Sequence, residues 1–142
     1  MNPFTRPRSP ELKNILNEVQ TIAVIGCSSN PYRTSYHISE YLVKAGFTIF
    51  PINPNEERVH GRKAYSSMAD LPEDVTIDLV NIFRNKRYTT ETVKEIIEWG
   101  EERNQKPVIW TQLDVSTDQA KELAGENGFT YVENRCIMVE HR

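Results

Sequence analysis

An apolar run, Thr21-Ile22-Ala23-Val24-Ile25-Gly26, stops at a glycine and passes into the polar stretch Cys27-Ser28-Ser29-Asn30-Pro31-Tyr32-Arg33-Thr34-Ser35-Tyr36. A buried strand that turns through a glycine into a helix leaves backbone N–H groups and a helix N-terminus aimed at one point, a geometry that binds phosphate. The loop holds one glycine where a dinucleotide-binding turn has three, and it carries an arginine. It points to a nucleotide-like ligand and away from the commonest one.

The rest of the chain repeats the same alternation. Ser9 caps a first helix with Pro10 at its first position, and Leu12, Ile15, Leu16 and Val19 share one face of it. The helix after the loop, about 35–45, stripes Ile38, Tyr41, Leu42 and Ala45 and stops at Gly46, a C′ residue. Phe47 to Ile52 reads as the second strand, followed by a loop from Pro51 and Pro54 to Gly61. Lys63 to Leu71 is irregular, with room for one short strand and one short helix, and Val75 to Phe83 is a strand carrying only Asp78 as a charge. Thr89 or Thr90 caps a helix to about 102, with Val93, Ile96 and Ile97 inward, and Pro107 to Thr111 is the next strand. Ser116 and Gln119 form a capping box, Val115 staples onto Ala120, and that helix ends near Gly125 or Gly128. Phe129 to Val132 closes the series.

Apolar strands alternating with amphipathic helices predict an α/β fold: a doubly wound, mostly parallel five-stranded Rossmann-like sheet with helices on both faces. The 142 residues are expected to form one domain, with 1–18 as an N-terminal arm and helix. A net charge of −3 argues against a nucleic-acid partner, while a small anionic ligand needs only local donors. Met1 to Arg8 is polar and no apolar run follows it, so neither a signal peptide nor membrane attachment is expected. Two cysteines, Cys27 and Cys136, are too few for a disulfide framework or a cysteine-only metal site, and a cytoplasmic location follows as the default.

In such a sheet the ligand lies beyond the C-terminal strand ends. Those ends carry Ser28, Ser29, Asn30 and Arg33; then Asn53, Pro54 and Asn55; then Phe83, Arg84, Asn85 and Lys86; then Trp110, Thr111 and Gln112. They offer donors and flat surfaces, with few acids or bases. An NAD site places an acid at the end of strand two, about 20 residues past its glycines. Here Pro51-Ile52-Asn53-Pro54 stands in that place, and Glu56 and Glu57 come later in the loop. Arg33 and Arg58 keep NADP open, because an extra phosphate suits an arginine. Each residue also has a plainer role. Ser28 to Asn30 can cap the helix, Arg33, Arg84 and Lys86 can be solvated charges, and Phe83 and Trp110 can be core. Cys27 sits where a helix N-terminus would lower its pKa, although a small core residue is the simpler reading.

Gly26-x-Ser28, Arg33-Thr34-Ser35-Tyr36, Pro51-Ile52-Asn53-Pro54, Gly61, Tyr65, Phe83-Arg84, Trp110-x-Gln112 and Arg135-Cys136 together resemble the small stand-alone CoA-binding-domain proteins of bacteria and archaea. The likeness runs from about residue 19 to the C-terminus. It implies a domain similar to the CoA-binding domain of the succinyl-CoA synthetase α subunit and of ADP-forming acyl-CoA synthetases. It implies that Ser28 to Arg33 hold CoA phosphates, that Asn53-Pro54-Asn55 runs along the adenosine, and that Phe83 to Asn85 and Trp110 to Gln112 line the remaining crevice, with Gly26 shaping the turn. The chain departs from that pattern at Asn85 and Thr34, where the family has proline, and at Asp114, where it has glycine. His37, His60 and His141 fall in no catalytic arrangement, so neither the phosphorylated histidine nor the nucleotide-grasp domain of the larger synthetases is matched. The expectation is binding of coenzyme A or an acyl-CoA without catalysis by this chain alone. The alternatives are an NADP-linked oxidoreductase, a CoA-dependent acyl-transfer enzyme using a cysteine, or a CoA-sensing protein whose exposed Glu133 to Arg142 segment meets a protein partner.

Overall fold

The computed structural model describes residues 9–142; the arm Met1 to Arg8 lies outside the described residues. Its central sheet has five parallel strands in the order β2-β1-β5-β6-β7: β1 (Thr21–Ile25), β2 (Thr48–Ile52), β5 (Leu79–Ile82), β6 (Val108–Thr111) and β7 (Tyr131–Val132). A separate antiparallel pair, β3 (Arg58–Val59) and β4 (Arg62–Lys63), turns through His60 and Gly61, both at positive φ. The order steps outward from β1 to β2 and then jumps to β5 on the other side. That reversal opens a crevice between the strand ends of β1 and β5.

Each face of the sheet buries one apolar cluster, because successive side chains of a strand point to opposite sides. Ile22, Val24, Leu79 and Trp110 pack with Leu16 of α1 (Pro10–Asn17), Ile38 and Leu42 of α2 (Thr34–Lys44) and Ile137 of α5 (Ile137–His141). On the other face Ala23, Ile25, Val80, Ile82 and Ile109 pack with Val93, Ile96 and Ile97 of α3 (Thr89–Arg103) and Ala120 and Ala124 of α4 (Asp118–Glu126). Strands covered on both sides read as continuous apolar runs, and β5 is buried at every position. No described helix is long and apolar enough to cross a membrane.

Four local expectations are corrected. The strand expected over Val75 to Phe83 is only Leu79–Ile82. Before it, the Gln105 side chain accepts from Ile77 N at 2.9 Å and donates to the Val75 carbonyl at 3.0 Å, replacing ladder bonds. Asp78 stays outside the strand because its carboxylate accepts from Gln20 N and Thr21 N at 2.9 and 3.0 Å. Helix α4 is capped by Thr117, whose hydroxyl accepts from Ala120 N at 3.1 Å, while the expected cap Ser116 pairs with the Tyr131 hydroxyl at 2.7 Å. Helix α3 starts after a 3-10 turn at Lys86–Tyr88, so the hydroxyls of Thr89 and Thr90 bond Val115 O and the Thr117 hydroxyl instead of capping it.

The fourth correction concerns the C-terminus. The Glu133 to Arg142 segment, expected to be exposed, packs back through α5, with Ile137 and Glu140 buried. Glu140 accepts from Ser9 N at 3.0 Å through one oxygen and pairs with Arg135 at 3.3 Å through the other. A buried carboxylate held by two donors ties both ends of the described chain together.

Candidate functional site

Gly26 sets the site. Its φ is +82°, and a Cβ there would stand 2.0 Å from the Phe83 carbonyl oxygen. Its N–H donates to Ile52 O at 2.8 Å, so the ends of β1, β2 and β5 meet at this one residue. Beyond it the polar loop is held by its own side chains. Ser28 N donates to the Ser35 hydroxyl at 3.1 Å, Asn30 N to the Ser28 hydroxyl at 3.0 Å, and Tyr32 N to Asn30 Oδ1 at 2.9 Å. The second strand end is folded in the same way. Asn53 donates from Nδ2 to Cys27 O at 3.0 Å and accepts from Asn55 N at 2.9 Å.

These loops border a crevice of about 940 Å³, within the size range of small-molecule sites. Gly26, Ser28, Arg33, Asn53, Asn55, Phe83, Arg84, Asn85 and Gln112 all line it. A smaller cavity of about 340 Å³ shares Gly26, Asn53, Asn55 and Arg84 with it and continues past Pro54 to Ser66, Ser67 and Met68. Ser29 and Asn30 lie outside both. Trp110 and Thr111 are fully buried under the strand ends, with the indole N–H donating to Arg135 O and the threonine hydroxyl to Val132 O, each at 2.8 Å. They support the floor from beneath and do not reach the crevice.

The charges around the crevice are unequally engaged. Arg84 donates to the Thr92 hydroxyl at 3.1 Å and lies over the Tyr88 ring at 4.7 Å. Lys86 pairs with Asp114 at 3.5 Å on the exposed rim. Asp114 has a φ of +61°, a left-handed backbone that glycine adopts without strain. The backbone of Arg33, the N-cap residue of α2, bonds Asn30 O and Tyr36 N, but its guanidinium bonds no partner among the described residues, and Arg33 lines the crevice.

Sequence reasoning passed over Glu56. It accepts from Ser29 N through one carboxylate oxygen and from the Ser29 hydroxyl, at 2.7 Å, through the other. Glu56 also lines the crevice, so the acid missing from the strand end returns to the site by way of the loop. The signal was in the sequence: an Asn-Pro-Asn turn, in which Asn53 accepts from its own neighbours, reverses the chain within a few residues. Tyr32 and Leu113 also line the crevice, and they are the large apolar side chains most exposed among the described residues, at 96% and 42%. Cys136 lines it at the α5 end, whereas Cys27 is buried. Burial, with a smaller push from Glu56, raises the Cys27 thiol to about 11 against the lowering hydrogen bond of Ser39. The α2 N-terminus does not activate it.

None of the three histidines lines the crevice. His60 Nε2 sits 2.9 Å from the Ser39 hydroxyl, His141 Nδ1 sits 2.7 Å from the Tyr41 hydroxyl, and His37 lies against Pro31 O. Among the described residues no cluster of His, Cys, Asp and Glu could hold a metal ion. The arrangement can bind an elongated anion. Its free cation and open loop lie at one end, and Phe83, Leu113, Val115 and Cys136 make the other end largely apolar.

Four relationships to known proteins stand beside this geometry. A family model described as CoA binding domain matches residues 20–142. The uncharacterized protein YneT of Bacillus subtilis is 35% identical over 135 residues, which is 95% of each chain. A hypothetical protein from Pyrococcus horikoshii, 35% identical, superposes with a TM-score of 0.83 over 92% of this chain and 87% of its own. The ADP-forming acetate–CoA ligase II subunit alpha of Pyrococcus furiosus is 38% identical over 80 residues, which are 56% of this chain and 17% of that protein.

Proposed function

We propose, since this chain belongs to the family of CoA binding domains, that its strand-end crevice binds coenzyme A or an acyl-CoA. The observation that carries this reading is the bidentate grip of Glu56 on Ser29. An oxyanion already rests on a backbone N–H and a hydroxyl of the loop, as a ligand phosphate would. The free Arg33 guanidinium beside it supplies a planar cation of the kind that binds phosphate through two parallel bonds. The donor set therefore fits a pyrophosphate at the β1 loop, with Asn53 and Asn55 along the adenosine.

Binding without catalysis is the favoured form of the proposal, because the histidines are engaged away from the crevice and the buried Cys27 thiol is a poor nucleophile. Asp114, exposed and paired with Lys86 at 3.5 Å, does not line the crevice, so its carboxylate does not stand against a polyanion bound there. The two free thiols suit a cytoplasmic protein.

A thermal-shift panel of CoA, acetyl-CoA, NAD, NADP and ATP tests the reading. A ligand at 100 times its Kd adds about 2.7 kcal/mol of stability, a shift of several degrees. CoA or acetyl-CoA should produce it, and Arg33→Ala should diminish it. A response to NADP with none to CoA overturns the proposal.

A further inference from the structure

At the far end of the crevice Gln112 is only 6% exposed, yet its amide is half unpartnered. Its Oε1 accepts from Asn81 Nδ2 at 3.1 Å and from Ile137 N at 3.0 Å. The backbone N–H of Ile137 can only donate, so the oxygen of Gln112 must face it. The Nε2 then carries no hydrogen bond among the described residues and is not sealed from solvent, which leaves it facing the crevice. Asn81 is itself fully buried in β5, and its Oδ1 has no partner, a cost that a leucine in the same place would not carry. The asparagine serves one visible purpose: with Ile137 N it fixes which end of Gln112 the ligand meets.

We infer that Gln112 is a dedicated hydrogen-bond donor for a neutral carbonyl oxygen on the ligand, and that Asn81 is its positioning residue. The inference rests on the CoA reading above and specifies which part of the ligand lies there. Adjacent strands are about 4.8 Å apart, so the end of β6 stands roughly 10 Å from the β1 loop, across β5. Phe83, Leu113, Val115 and Cys136 line the crevice with Gln112, and Lys86 is committed to Asp114 at the rim. A neutral donor beside apolar groups suits an amide or thioester carbonyl on an apolar arm better than a phosphate, which calls for cations. The carbonyl belongs to the arm that leads away from the pyrophosphate. A buried donor of this kind rejects ligands lacking the acceptor, because binding them leaves the N–H unpaired.

Calorimetric titration of CoA and of ADP, which has the diphosphate without the arm, tests this on three proteins. Gln112→Glu keeps the acceptor for Asn81 and Ile137 but replaces the crevice donor with an acceptor. It should lose about tenfold in CoA affinity and leave ADP within twofold. Asn81→Leu should fold with unchanged or higher thermal stability and lose several-fold for CoA alone, which keeps the test open if the buried glutamate unfolds its variant. Unchanged CoA binding in both variants, or equal losses for CoA and ADP, overturns the inference while leaving the CoA reading intact. Failure of the unaltered protein to bind CoA overturns both.

Discussion

The Glu56 carboxylate grips Ser29 twice, taking its backbone N–H with one oxygen and its hydroxyl with the other. A phosphate arriving at the β1 loop must displace that carboxylate or share space with its charge. Glu56→Gln removes the charge and is expected to tighten CoA binding about three- to tenfold, measured by titration calorimetry at low salt. Weaker binding by the variant would mean that Glu56 holds the loop in its binding shape.

Gly26→Ala is expected to destabilise the fold severely, because the new Cβ would lie 2.0 Å from the Phe83 oxygen at a φ of +82°. Parting β1 from β5 to relieve the contact should cost about 3 kcal/mol or more, lowering Tm by roughly 10 °C. Gly46→Ala provides the comparison, since it has a φ of +102° with open space around it and should cost only the backbone strain, about 1 kcal/mol.

The two cysteines should separate cleanly on alkylation. With its thiol at about 11, Cys27 is ionised in about one molecule in a thousand at pH 8, and it is buried besides. Peptide mapping after iodoacetamide treatment should find Cys136 labelled and Cys27 labelled only in denaturant. Bound CoA should slow labelling of Cys136, which lines the crevice.

Burial, and after it the nearby Lys13 charge, hold His141 below its ordinary value of 6.5. The unfolded chain therefore binds more protons than the folded one between the lowered folded value and 6.5, and stability rises with pH through that window. The contribution is complete above 6.5 and is lost on acidification below it. His141→Gln should flatten the dependence of Tm on pH on acidification below 6.5 relative to the unaltered protein, whatever the constant offset from losing its contacts with Tyr41 and Phe47.

How far the sequence could be read depended on the range of the interactions involved. The alternation of Ile22, Val24 and Ile25 with the α2 stripe, the turn at Gly26 and the C′ position of Gly46 are local and were legible as chemistry. The cap of α4 was misplaced by one residue because Ser116 and Thr117 are equivalent locally, and Tyr131, fifteen residues away, takes the serine hydroxyl. Trp110 was legible as a strand-end aromatic, but its indole is claimed by Arg135 O from beneath, which spacing does not reveal.

The sequence by itself determined the parallel sheet, its helical layers and the polar loop at its first turn, since hydrophobic period and turn chemistry act over a few residues. The tertiary structure alone decided that Glu56 returns to Ser29, that Arg33 is left free while Arg84 and Lys86 are engaged, and that Asn81 and Ile137 orient Gln112. Each of these depends on which loops the strand order brings side by side. A hydrogen bond takes the partner within its 3 Å reach, and the folded chain chooses that partner from far along the sequence.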